Sequence, residues 1–442
     1  MSTQLSELVS LISEATKVVE AEFAKSEDPQ VPSLDDTTPH PLDDLSSMEM
    51  KEAVKIIEGA CAQLCALVAR PSHTVLNKMF SLFEPACINV VVNFKIPDLL
   101  LDKPRGVHVS ELSKLSGCEE GKLARVLRLL ATKHCFREVE SDVFANNRLS
   151  ILLLSSNGLS HLSLHITDDA NKCASVLSDN LKDKDWGHSY APNHAPFNTY
   201  SKCPVPLFAY FDTPEGSAKG QTFGLGMQGW GKGTEAGAVV RDFPWKDLPK
   251  GASICDVGGG IGHISIQLAK TYPDLRIVLQ DLPQTIQQAE KDIWPKLCPE
   301  AIENQKVQFK AFDFLLEDPV PGCDVYYLKN IVHDWPDKEC VKILTGVKNA
   351  MTPKSRVLVH EYILQRASRE SESAIKPAPE PLLPNYGAGG IRQYNLDLDM
   401  MVLFNSQERH LEHFISLGKQ AGLKFVKVWD LKETGLVEFA LA

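Results

Sequence analysis

ICDVGGGIGHISIQLAK, residues 254–270, runs from a short apolar strand into a glycine cluster and then a helical pattern. A strand that delivers a glycine turn to a helix start is where α/β sheets hold nucleotide-like ligands. The segments beyond it keep that rhythm. Strand RIVLQD, helix PQTIQQAEKD, strand KVQFKAFDF, strand DVYYLKNIV and strand RVLVHEYIL follow in turn, and LEHFISLGKQAGLKFVKVWD adds a last helix and strand. The alternation predicts a Rossmann-like, mostly parallel α/β sheet.

The loop's chemistry selects its ligand. No lysine follows the glycines, so the triphosphate loop GxxxxGK[ST] is missing. The dinucleotide pattern GxGxxG fails as well, at His263 or Ser265 depending on the frame. The order that fits is Asp256, Gly258, Gly259, Gly260 and Gly262, acid first. An acid beside the turn favours a cationic ligand and repels a pyrophosphate, which points to the sulfonium of S-adenosylmethionine. Asp281 closes the next strand, placed to accept hydrogen bonds from ribose hydroxyls. Asp313 and Phe314 close the strand after that, where a carboxylate and an aromatic edge suit an adenine.

Upstream of this domain the chain reads differently. Leu5, Leu8, Ile12, Ala15 and Val19 form one helical stripe, and SEDPQVPSLDDTTPHPLDD after it has the composition of a linker or disordered tether. Residues 107–149 read as helix, turn, helix and hairpin, a winged-helix outline in which Ser110 caps the first helix and Gly117 ends it. Leu123, Val126, Leu127 and Leu130 give the second helix its buried stripe. The division expected is an arm and acidic linker at 1–48, a helical winged-helix dimerisation domain at 49–200, and a cofactor-binding catalytic domain at 201–442.

Composition narrows the function. The 442 residues carry a formal charge of −11, and residues 1–50 hold eleven acids against two lysines. That balance argues against nucleic acid as partner, despite Lys122, Arg125 and Arg128 on the winged helix. Eleven cysteines without paired CxxC spacing suit free thiols in a reducing, cytoplasmic setting. No stretch of about 18 apolar residues suggests a membrane span.

HDWPD at 333–337 supplies the second constellation. His333 lies just past the fourth strand's carboxyl end, where such sheets present their ligands. With Asp334 and Asp337 it offers metal-binding residue types, but a helix starting at Pro336 and capped by Asp334 or Trp335 accounts for these residues without one, and no metal is expected.

Taken together, DxGGGxG, LQDLP, FDF, LKNIVHDWPD, HEYIL and SQERHLEHFISLGKQAGL resemble the caffeic-acid-type small-molecule O-methyltransferases of plants and fungi, over roughly residues 50–442. Within that family the chain is most similar in look to fungal enzymes of the sterigmatocystin 8-O-methyltransferase kind, which methylate aromatic polyketides. The resemblance implies His333 as general base, with Glu361 and Glu408 as its flanking carboxylates. It implies cofactor contacts at Gly258, Gly259, Asp281, Asp313, Phe314 and Lys329. It also implies an aromatic acceptor beside Met227 and Met400 or Met401, S-adenosylhomocysteine as product, and a homodimer. The arm and the 367–390 insertion, which reads as a surface loop, depart from the plant pattern.

Free histidine is a poor base for a phenol. Their pKa values, about 6.5 and about 10, leave a gap of roughly 5 kcal/mol that a carboxylate on the far ring nitrogen would narrow. Other readings are a winged-helix regulator or pseudoenzyme, or an S-adenosylmethionine fold turned to N- or C-methylation, decarboxylation, cyclisation or hydroxylation. A broken glycine loop or a missing base would favour these last; the chain keeps both.

Overall fold

The computed structural model describes residues 3–43, 46–234, 237–369 and 374–442. The chain forms two compact units, Met1–Ser189 with Asn193–Glu235, and Tyr190–Pro192 with Ala236–Ala442.

In the first unit the amphipathic arm is a helix, Gln4–Lys25, started by a Thr3–Ser6 capping box. Leu8, Ala15 and Phe23 are buried on the face packed along a second helix, Met48–Val68, whereas Leu5 at the helix start stays exposed. The segment between these helices is not a free tether. Arg137 pairs with Asp35, Arg148 pairs with Asp43, and the Arg148 N–H donates to the Leu34 carbonyl. Two of its acids, Asp35 and Asp43, are thus paired with arginines of the winged-helix region, which offsets the poor apolar content that predicted disorder.

The winged helix consists of Val109–Ser116, Glu120–Thr132 and a small sheet of β1 (Val107–His108), β2 (Arg137–Glu140) and β3 (Val143–Ala145). Leu123, Leu127 and Leu130 are fully buried, and Val126 packs at the edge of the same core. His108, not Ser110, caps the first helix: its ring accepts the Ser110 N–H. Arg128 is held by Glu138 and Asp142 across the hairpin, so its charge is not offered to a phosphate. The helix Ser217–Gly233 packs in this unit too, with Gly229 against the Gly158 backbone so closely that a Cβ would sit 2.3 Å from it.

One helical run among the described residues, Pro71–Asn93, is long and apolar enough by composition to cross a membrane. It is interrupted by a 3-10 turn at Phe80–Leu82 and leaves Val75, Met79 and Phe80 more than half exposed.

The second unit is built on a seven-stranded sheet. Its strands are β4 (Ser253–Val257), β5 (Arg276–Asp281), β6 (Val307–Ala311), β7 (Val325–Lys329) and β8 (Arg356–Glu361), then, after a short pair, β11 (Leu423–Asp430) and β12 (Gly435–Leu441). The order is β11-β12-β8-β7-β4-β5-β6, and only β12 runs against the rest. The central strands are near-continuous apolar runs because helices cover both faces. The order reverses between β4 and β7, which opens a crevice at their carboxyl ends.

The HEYIL segment breaks at Tyr362, so β9 (Ile363–Leu364) leaves the main sheet and pairs in parallel with β10 (Arg409–His410). The 367–390 insertion is less of a surface loop than its composition suggested. Ala378, Leu382 and Tyr386 are buried, and Arg369 donates to the Ala378 and Leu382 carbonyls. Its residues 370–373 lie outside those described.

Leu8→Ala should cost the docking of the first helix about 2–5 kcal/mol. Native-state hydrogen exchange checks this: the Gln4–Lys25 amides should lose protection while β4 and β7 keep theirs.

Candidate active site

The loop after β4 is shaped by contacts that leave no room for side chains. A Cβ on Gly259 would sit 2.4 Å from the Asp256 carboxyl carbon, and one on Gly258, whose φ is +70°, would meet Ile331 at 2.6 Å. The Gly258 and Gly259 N–H groups donate to the Gln280 carbonyl, and the Gly260 N–H donates to Asp281 Oδ2 at 2.8 Å. Asp256 is buried beneath the loop and accepts the Ser265 hydroxyl at 2.6 Å. Burial pushes its carboxyl up to about 6, only partly offset by the Ser265 bond. Its charge therefore lies under the glycines, at one remove from a ligand above them.

Asp281 accepts Leu282 N–H on its other oxygen. Burial raises its pKa, while these backbone donors and Thr285 pull it down. One of its four lone-pair sites stays open for a hydroxyl donor. Asp313 spends one oxygen on the Leu315 N–H of its own turn. Phe314 stands edge-on to Trp335, 5.8 Å between centroids, and borders Gly258. Lys329, at the end of β7, has its ammonium pKa lowered by burial against the opposing pull of Glu361 and Asp256.

The second cluster forms where β8, β10 and the turn after β7 meet. His333 sits in a 3-10 turn, Val332–Asp334, and is buried. Its Nδ1 donates to Glu408 Oε1 at 2.6 Å, with Glu361 Oε2 at 3.7 Å. Its Nε2 faces Asp334 Oδ1 at 3.5 Å, too long for a hydrogen bond. Glu361 accepts the N–H groups of Ile331 and Val332 at 3.0 and 2.9 Å, and so holds the turn as well as the ring. Burial alone would lower the His333 pKa. The charges of Glu408, Glu361 and Asp334 outweigh it and raise the imidazole to about 10. The carboxyls pay the reverse: burial lifts Glu361 to about 7 and Asp334 to about 6, each partly restrained by His333.

Several sequence expectations change here. The helix after HDWPD begins at Asp337 with Pro336 at its cap position, and neither Asp334 nor Trp335 caps it. Asp337 turns away from His333 to Arg409 and His413. The acids that gather at the imidazole are Glu361 and Glu408. Donor atoms of His333, Glu361 and Glu408 lie within 4.8 Å of one another, a spacing a metal could use. The 2.6 Å contact suits a shared proton better: two ligands about 2.1 Å from one ion sit well over 3 Å apart at a tetrahedral angle.

Met400 is buried and Met401 half-buried near the end of helix Ile391–Phe404, which packs on the His333 turn. Met227 is half-buried on helix Ser217–Gly233 of the first unit. Sequence reading did not single out Gln280, Asp397 or Arg409. Asp397 accepts the Glu408 N–H at 2.8 Å, and Gln280 carries the loop. Arg409 was visible as Glu408's neighbour in SQERH, but nothing in spacing marked it as buried.

Comparison with known proteins gives the family. Residues 234–424 match the O-methyltransferase domain family, and residues 76–156 match the O-methyltransferase dimerisation domain. The chain is 44% identical to 3-O-methyltransferase 2 of Phanerochaete chrysosporium, over 99% of this chain and 98% of that one. It is 31% identical to sterigmatocystin 8-O-methyltransferase of Aspergillus flavus, over 72% of each. Its fold is similar to the crystal structure of TnmH, with a TM-score of 0.67 and 26% identity over 84% of this chain and 98% of that one.

Gly259→Ala should push the loop off Asp256 and weaken S-adenosylmethionine binding at least tenfold, about 1.4 kcal/mol. Titration calorimetry on the folded variant would measure it, and an unchanged affinity would remove this loop from the binding site.

Proposed function

We infer the chemistry from a firm premise: the chain belongs to the family of S-adenosylmethionine-dependent O-methyltransferases. The acceptor we propose is a phenolic hydroxyl on a flat aromatic metabolite, polyketide-derived as for the sterigmatocystin relative, with His333 as general base. The observation that carries this reading is the buried imidazole whose Nδ1 is fixed by Glu408, leaving Nε2 for an incoming hydroxyl.

S-adenosylmethionine supplies a methyl group on a cationic sulfur and leaves as S-adenosylhomocysteine. In-line displacement disperses charge, so alignment is the protein's main contribution. We assign Gly258, Gly259 and Gly260 to the cofactor's approach, with Asp256 beneath them. Asp281 takes the ribose hydroxyls, Asp313 and Phe314 take the adenine, and Lys329 borders the reacting end. Met400 and Met401 are assigned to the faces of the acceptor ring.

The pKa match explains the proton's path. A phenol near 10 and an imidazole at about 10 exchange a proton with little uphill cost. At neutral pH His333 already holds a proton. A bound phenol then yields its own to solvent and becomes a phenolate facing the Nε2–H. Written with the proton on oxygen, the same complex is a neutral phenol facing a neutral base. Glu408 stabilises the imidazolium form, and Glu361 keeps the turn in place.

The first unit has a different part in this reading. Val68, Val75, Leu76, Met79, Phe80 and Phe83 expose apolar surface along residues 68–83, a stretch that overlaps the dimerisation match. We assign that surface to a second copy of the chain. All eleven cysteines are free thiols, which supports a cytoplasmic setting.

His333→Gln should cut kcat by about 10²–10⁴-fold while leaving S-adenosylmethionine affinity unchanged. Loss of both together would make the residue structural. For the wild type, activity follows the product of imidazolium and phenolate fractions. With an acceptor of ordinary acidity, kcat/KM should rise about tenfold per pH unit from 7 towards 10 and fall beyond. A nitro-substituted phenol with pKa near 7 should instead reach its plateau from about pH 7. An identical profile for both acceptors would overturn the shared-proton account. Phe80→Glu should convert the dimer to monomer in analytical ultracentrifugation; a wild-type monomer would remove the pairing assignment.

A further inference from the structure

Arg409 is 1% exposed, follows Glu408 directly, and opens β10. A buried guanidinium needs all of its five N–H donors satisfied. Here Nη1 donates to the Val332 carbonyl at 2.7 Å and, more weakly, to the Gln407 carbonyl at 3.4 Å. Nη2 donates to the Trp335 carbonyl at 2.8 Å and to Asp337 Oδ1 at 2.9 Å, and Nε reaches the same oxygen at 3.2 Å. Val332 and Trp335 are the residues on either side of His333 and Asp334.

Val332 is therefore gripped through both of its backbone polar groups. Its N–H is held by Glu361 and its C=O by Arg409. The far side of the fork is anchored in turn, since Asp337 also accepts from His413 at 2.8 Å. No other contact among the described residues ties the His333 turn to the Glu408 backbone through a planar fork of this kind.

We propose that Arg409 is the positioning residue of the site: its buried fork fixes the turn carrying His333 against the strand carrying Glu408, and so holds the ring in line for its hydrogen bond. The proposal rests on His333 as the base, but the juxtaposition it explains is structural and can be tested without turnover. Lysine cannot replace the fork, because one ammonium cannot reach both carbonyls and Asp337 in a plane.

The groups facing His333 are Glu408 beside β10, Glu361 at the end of β8 and Asp334 on its own turn. Asp397 of helix Ile391–Phe404 holds the Glu408 N–H, and Asp399 of the same helix bears on Asp334. Lys329 of β7 acts on the cluster through Glu361. Arg409 touches none of the ring atoms, so its effect must pass through geometry.

The test uses the full chain with isotope-labelled histidine, and reads the Nδ1–H proton resonance and the titration of the His333 ring, assigned with His333→Gln. In the wild type a short hydrogen bond gives a strongly downfield proton. Arg409→Gln and Arg409→Lys should both lose that resonance and lower the His333 pKa by at least about one unit. Calorimetric S-adenosylmethionine affinity should stay within tenfold of wild type, under about 1.4 kcal/mol. Retention of the resonance in either folded variant overturns the proposal. So does full rescue by lysine, which would make charge the operative property, or collapse of cofactor binding, which would make the role one of general stability. Should neither variant fold, Asp337→Asn loosens the fork from its exposed end, and an unchanged resonance there overturns the proposal equally. Failure of His333 as base would show as methylation persisting in His333→Gln, independent of these readings.

Discussion

The hydrogen bond from His333 Nδ1 to Glu408, 2.6 Å long, joins groups 75 residues apart in the chain, and much of the second unit is arranged around it. Closing it requires β8 to stop at Glu361, β9 to peel off the main sheet, and β10 to pair with β9 in a fixed parallel register. A slip of one residue would turn Glu408 to the opposite face. Several buried acids converge on one imidazole as a result. Such groups each lose several kcal/mol of hydration on burial, so they persist only where donors are supplied. Two backbone N–H groups on Glu361 Oε1 and the ring proton on Glu408 Oε1 supply part of this, while Oε2 of each carboxylate is buried without a hydrogen-bond partner.

That arrangement changes what the histidine is. Desolvation and carboxylate charge oppose each other on the ring, and the charges win. On the proposed reading the protein does not make histidine a strong acceptor at neutral pH. It brings imidazolium–phenolate level with imidazole–phenol, so the difficulty of ionising a phenol moves from the chemical step to the binding equilibrium. The acceptor's own acidity then governs the rate.

The two clusters share one origin in the sheet. The glycine loop leaves β4 and the His333 turn leaves β7, and these strands are neighbours at the point where strand order reverses. Phe314 and Trp335, in edge-to-face contact, bridge the end of the β6 segment and the His333 turn. The glycine loop and His333 Nε2 therefore lie on the same carboxyl edge, which is what the proposed transfer between them demands.

Much of this was legible in sequence, and the limit has a physical shape. Strand and helix alternation, the acid-first glycine turn and the winged helix are written in local periodicity and backbone sterics. A reader of the chain alone recovers them because each depends on residues within a turn or a strand of one another. Composition misled twice: the acidic segment after the first helix is held by ion pairs to Arg137 and Arg148, and the 367–390 insertion, rich in proline and glycine, still buries Ala378, Leu382 and Tyr386. Motif order put His333 past the fourth strand, but could not say which acid takes its Nδ1, that Asp256 lies under the loop, or that Asp337 serves Arg409. Those outcomes follow from strand register and from the need of each buried donor for an acceptor. Both are set only when distant segments meet.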